Sequence, residues 1–145
     1  MRPCGILGGL LGLSLAFGCE RVAYELKIEA PKEITAGSPW LFRVEVADAA
    51  TETAVGTQGD ELCLLASSAS GALSCAATTC TTEDMGRRLT MRVPLTTPRI
   101  AYVQYTSSGS VKRDILGVSV YQASDCSTVA SHVPLTSAAV EFDIK

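Results

Sequence analysis

The feature that most limits what this chain can fold into is a period of two in its apolar residues, recurring along its length and broken by turn residues. Val22, Tyr24, Leu26 and Ile28 alternate with Glu25, Lys27 and Glu29, and Pro31 ends the run. After Ala36-Gly37-Ser38-Pro39, the residues Trp40, Phe42, Val44 and Val46 alternate with Arg43 and Glu45. In a strand, such alternation sends one row to each face, so both segments predict strands buried on one side. Leu62, Leu64 and Leu65 lie in a short continuous apolar run, Glu61 to Ala66, which fits a covered strand. Leu89, Met91 and Val93 alternate with Arg88, Thr90 and Arg92 before Pro94 and Pro98. Ile100 to Tyr105 and Val111 to Tyr121 flank Ser107-Ser108-Gly109-Ser110, which reads as a flexible hairpin tip. Leu116, Val118 and Val120 share one face of the second strand, and Gly117 on the other face marks a bulge or a close backbone approach. Ser124 to Pro134 reads as a loop, Val140, Phe142 and Ile144 form a last strand, and no period of 3.6 stands out after the leader. Seven or eight short strands predict an all-β fold, an antiparallel β-sandwich.

The first residues obey different rules. Arg2 supplies a short positive region, and Gly5 to Gly18 is uncharged and rich in Leu, Ile, Gly and Ala. That length suits the apolar core of an export signal and falls short of the ~20 residues needed to span a bilayer. Gly5, Gly8, Gly9 and Gly12 would each cost roughly 1 kcal/mol inside a helix, which argues against a buried helix of the fold. Leu15-Ala16-Phe17-Gly18-Cys19 resembles the lipobox of bacterial lipoproteins, with Gly18 and Cys19 matching the positions on either side of the cut. The resemblance implies a signal peptide over 1–18, acylation of Cys19, a tether over 19–21 and a domain over 22–145. Ala16-Phe17-Gly18 also satisfies the small-x-small rule of ordinary secretory cleavage, so simple secretion stays open. In the lipoprotein family an aspartate after the cysteine often retains the protein in the inner membrane. Glu20 stands there, which implies the outer membrane where the host has one.

From Cys19 to Lys145 the chain keeps 11 of the 12 basic residues against all 15 acidic ones, a formal charge of −4. Nucleic-acid binding calls for a basic stripe and electrostatic adhesion to anionic lipid for a basic cluster; interspersed charge of this sign supplies neither. Asparagine is absent, so there are no glycosylation sequons. Cys4 leaves with the signal and Cys19 takes lipid, which leaves Cys63, Cys75, Cys80 and Cys126. Four cysteines in an oxidising compartment predict two disulfides. Their spacings of 12, 5 and 46 residues contain no C-x-x-C pair, so a zinc site is not expected. The preferred pairing joins Cys63 to Cys75 and Cys80 to Cys126. The first pair is symmetric about Ala69, so a hairpin turning at Ser67 to Gly71 would set them opposite each other. Cys63 with Cys126 remains open as a staple between sheets. The Ser-, Thr- and Ala-rich stretch Ser67 to Asp84 buries little by itself, and a disulfide there limits the entropy of a poorly packed region.

Ile34-Thr35-Ala36-Gly37-Ser38-Pro39-Trp40, the strand Phe42 to Asp48, and Ala54-Val55-Gly56 are similar to the opening strands of bacterial immunoglobulin-like domains. The resemblance implies a single immunoglobulin-like sandwich. The cysteine-bearing middle departs from it, since such domains commonly lack disulfides.

No catalytic residue is assigned. Asp125, Ser127 and His132 contain the parts of a triad, but they crowd into one loop without an oxyanion motif, and a surface histidine is the better reading. Asp60-Glu61 and Glu83-Asp84 lack the ligand spacing of a calcium loop and read as solvated charge. Trp40 lies on the apolar row of its strand, which favours core packing over sugar stacking, while Tyr102, Tyr105 and Tyr121 are the better candidates for an exposed aromatic patch. The expected protein is a non-catalytic envelope module without cofactor or metal, anchored to the bilayer through Cys19. It would bind a protein or glycan, or serve a structural role. The alternatives are an accessory subunit of an envelope complex, pairing through a sheet edge, and a secreted disulfide-bonded domain without lipid.

Overall fold

The structure, a computed structural model, describes residues 24–48, 61–76, 79–94 and 98–145. The leader, Cys19, the tether, Val22, Ala54-Val55-Gly56 and Asp60 lie outside the described residues.

Alternation becomes strands where the sequence places it. In β1 (Tyr24–Glu29) the apolar row is half-buried and Glu25, Lys27 and Glu29 are exposed. The two-residue β2 (Glu33–Ile34) follows, and then β3 (Trp40–Asp48), which pairs antiparallel with β1 and buries Phe42, Val44 and Val46. The remaining strands are β4 (Glu61–Ser68), β5 (Ala72–Cys75), β6 (Cys80–Glu83), β7 (Arg88–Arg92), β8 (Ile100–Thr106), β9 (Arg113–Ala123) and β10 (Thr136–Ile144). A 3-10 helix, Cys126–Ser131, separates the last two.

Among the described residues, ten strands form two sheets, one of order β1-β3-β8-β5 and one of order β2-β10-β9-β4-β7-β6. Every pairing is antiparallel except the two-residue contact of β2 with β10. The additional strands over the expected seven or eight are short pieces, β2, β5 and β6, too brief to show a period. Between the sheets, Phe42, Val44 and Val103 from one side meet Leu64, Leu89, Leu116, Val118 and Phe142 from the other. Phe42, Tyr105 and Phe142 form a ring cluster with centroids 5.0 to 6.1 Å apart, two of the three contacts edge to face.

Two expected hairpins are crossings between sheets instead. β4 and β5 lie in different sheets, as do β8 and β9, so neither Ser67 to Gly71 nor Ser107 to Ser110 is a hairpin tip. Asp114 explains the first crossing. It stands on the buried row of β9, and its carboxylate accepts the main-chain N–H groups of Ala69, Ser70 and Gly71 at 3.0 to 3.3 Å. The Ser70 hydroxyl donates to it at 3.0 Å and the Tyr105 hydroxyl at 2.5 Å. The turn is therefore tied to a strand 43 to 45 residues away rather than closed on itself. Gly71 is required here, because a Cβ at that position would sit 2.1 Å from the Tyr105 ring. At the second crossing the Ser107 hydroxyl accepts the Gly37 N–H at 2.9 Å.

The disulfides follow from this topology and correct the preferred pairing. Cys63 bonds Cys126 and Cys75 bonds Cys80. With β5 moved to the smaller sheet, Cys75 no longer stands opposite Cys63 but at one sheet's edge, beside Cys80 at the edge of the other. The Ser- and Ala-rich stretch is thus an edge-to-edge staple.

Candidate functional site

Each sheet turns one face outward. On the six-stranded sheet, β4 is covered on both sides, as its continuous apolar run implied. Leu62, Leu64 and Ala66 join the main core, and Cys63 joins Tyr121, Ala123 and Val129 in a second cluster outside the sheet. The 3-10 helix forms the roof of that cluster, fixed to β4 by the Cys63–Cys126 bond. Asp125 caps this helix, accepting the Ser127 N–H at 2.9 Å and the Ser127 hydroxyl at 2.8 Å. Those two hydrogen bonds, with the Arg92 charge behind them, hold the Asp125 carboxyl below the usual carboxylate range.

Among the described residues, the outer face of the four-stranded sheet has no such roof. Leu41 is 47% exposed and Tyr102 40%, on adjacent strands with Arg43 directly opposite Tyr102. Arg43 sits 3.3 Å from both Glu29 and Glu45. Trp40, expected in the core, is 40% exposed: it opens β3, and Phe42, Tyr105 and Phe142 already fill the core at that end. Of the three tyrosines expected to form an exposed patch, only Tyr102 is exposed. Tyr105 is buried against Asp114, and Tyr121 lies under the 3-10 helix.

Between the sheets' free edges runs an open groove of about 760 Å³. Met91 and Val93 line it from the larger sheet, Ile100 and Tyr102 from the smaller one, and Arg92 and Asp125 stand at its polar side.

The triad parts do not assemble. Ser127 donates to Asp125 within the cap, while the exposed His132 ring places Nδ1 3.0 Å from the Thr128 carbonyl. Glu83 and Asp84 sit at the β6–β7 turn and face Arg88 and Arg87 across salt bridges of 4.0 and 2.9 Å. Asp114, the one buried carboxylate among the described residues, is committed to structure. Burial pushes it toward neutrality, but the Tyr105 hydroxyl and the N–H groups of Ile115 and Gly71 outweigh this and hold it below the usual range. Tyr105 is shifted the other way, burial first and the Asp114 carboxylate second making it a much weaker acid. The sequence reading missed Asp114, although an acid in phase with Leu116, Val118 and Val120 was its visible signal. Among the described residues, no three metal-ligating side chains cluster, and no helix is long and apolar enough to cross a membrane.

No family model matches the sequence, and no curated protein does. Among solved structures, a cohesin module from a Clostridium perfringens family 33 glycoside hydrolase is similar, with TM-score 0.50 and 13% identity over 86% of this chain and 98% of that one. AvmM, described as catalysing macrocyclisation in alchivemycin A biosynthesis, follows at 0.46 with 11% identity over 86% and 89%. The human F-spondin reeler domain follows at 0.44 with 12% identity over 83% and 87%. At such identity the likeness concerns fold. The protein is an all-β, two-sheet sandwich.

Proposed function

We propose that this protein is an exported, non-catalytic binding module held on the cell envelope by an acylated Cys19. The observation that carries the reading is the pairing of Cys63 with Cys126 and of Cys75 with Cys80, which calls for an oxidising compartment. A further support is chemical: Asp114, Asp125, Ser127 and His132 spend their polar atoms on turns and a cap. What the surface offers is contact area, the Leu41 and Tyr102 face and the groove beside it. Acyl chains would hold such a domain at the membrane, each buried methylene contributing ~0.8 kcal/mol and two or more chains giving stable anchorage. Glu20 after the modified cysteine favours the outer membrane.

Intact mass tests the anchor. The mature protein should exceed the Cys19 to Lys145 polypeptide by its acyl groups, and Cys19→Ala should release it from the membrane fraction. A mature chain without added mass would leave a secreted binding domain, cut by the ordinary peptidase.

A further inference from the structure

We infer that the stretch of β8 left unpaired by β5, Ile100 to Tyr102, is an open strand site that takes up an extended segment of a partner polypeptide. This rests on the binding-module reading and gives it a place and a ligand chemistry.

The slot arises because two neighbours of β8 differ in length. On one side β3 accompanies β8 down to Ile100, which stands opposite Glu45. On the other, β5 pairs only from Ala72 opposite Thr106 to Cys75 opposite Val103. At Cys75 the chain leaves the smaller sheet and is next found paired in β6 of the larger one, bonded through Cys80. The disulfide thus fixes where β5 stops.

Ladder geometry says which way the main chain of β8 points beyond that stop. The Val46 N–H donates to the Arg99 carbonyl at 2.9 Å. Hydrogen-bonded pairs alternate in an antiparallel ladder, so Arg99, Ala101 and Val103 face β3. Ile100 and Tyr102 turn their N–H and C=O groups the other way, into the groove, and have no strand partner there among the described residues. Two donors and two acceptors at strand spacing are matched by the main chain of another strand, as in β-strand addition.

The pleat then sets the side-chain requirement. Ala101 points inward, so a residue paired opposite it also points inward, onto Met91 and Val93. Those two apolar side chains select a small or medium apolar group. The residues opposite Ile100 and Tyr102 point outward, beside the Tyr102 ring, and are less restricted.

The test uses the full-length protein, expressed with its leader and purified, against a displayed library of random peptides of about ten residues. Selected peptides should carry an apolar residue between less restricted ones. Their binding should slow amide exchange at Ile100 and Tyr102 while leaving Ala101, already bonded to β3, unchanged. Tyr102→Pro removes one donor on the groove side and should weaken binding about tenfold, whereas Val133→Asp, at an exposed residue that does not line the groove, should not. If Tyr102→Pro fails to fold, Tyr102→Ala keeps the main chain, and the two amides should still be protected. Peptides that bind without protecting these amides, an empty selection, or a dimer of the protein that Tyr102→Pro dissolves would each overturn the strand site. Loss of binding in Leu41→Asp alone would move docking to the outer face. None of these results bears on the anchor, which intact mass decides separately.

Discussion

The two outer faces of this sandwich are treated in opposite ways. One end of the six-stranded sheet is roofed by the 3-10 helix, which packs its own Val129 onto Tyr121 and Ala123 and carries a disulfide through its first residue. The four-stranded sheet leaves Leu41 and Tyr102 exposed, with an ion-pair network around Arg43 beside them. A roof costs chain entropy and needs a covalent tie to hold a six-residue helix in place. A bare apolar face costs some solubility and keeps its area for contact. The difference separates a face closed over by its own chain from one that the described residues leave open.

The largest expected effect comes from cutting the tie. Replacing Cys63 and Cys126 together by Ala should cost about 4 kcal/mol in the chain-entropy account, read as a fall in melting temperature of roughly 15 °C. A loss below about 1 kcal/mol would mean that the roof holds without its disulfide. Val129→Ala should cost about 2 kcal/mol by opening a cavity under the helix, measured by denaturant unfolding, and a neutral result would show the second cluster to be loosely packed. Acid should act next and only locally. The folded Asp125 carboxyl titrates below its unfolded value of ~3.9, so its capping contribution is present above that pH and fades as pH falls through the folded value. Protection of the Ser127 amide relative to its intrinsic exchange should therefore fall in strong acid; a fall already at pH 6 would contradict the cap. The smallest effect belongs to the bare face, where Leu41→Ser should change stability by no more than about 0.5 kcal/mol. A larger loss would mean that this face supports the fold and is not free for contact.

Strands long enough to show their period were legible in the sequence. β1, β3, β7, β9 and β10 bury the rows that alternation assigned, and the unbroken run in β4 foretold a strand covered on both sides. At Gly117, expected to mark a bulge or a close backbone approach, the tight neighbour is a side chain: a Cβ there would lie 3.2 Å from the Ser67 hydroxyl and 3.9 Å from its carbonyl. What stayed hidden was which sheet each strand enters. A serine-rich link between apolar strands reads alike whether it turns within a sheet or crosses to the next. The deciding contact at Ser67 to Gly71 comes from Asp114, more than forty residues away. The disulfide pairing went wrong for the same reason, because symmetry about Ala69 matters only if β4 and β5 share a sheet. For Trp40 parity named the correct row, but depth along that row depends on what the facing sheet has already filled, while Tyr105, expected in an exposed patch, turns inward onto Asp114. The groove was out of reach of any periodicity argument, since it exists because a strand stops early.

The larger sheet is built so that it closes late. β10, the last strand in the sequence, lies inside the sheet, with β2 on one side and β9 on the other. Its end is knotted into the start of the domain: Ala36 donates to the Lys145 carbonyl, Lys145 donates to the Ile34 carbonyl, and Phe142 completes the ring cluster. A chain that emerges N-terminus first cannot assemble this sheet until Thr136 to Ile144 are available to pair with β9. Contacts of such long sequence separation make early folding slow. The order of the strands defers closure of the larger sheet to its last-made strand among the described residues.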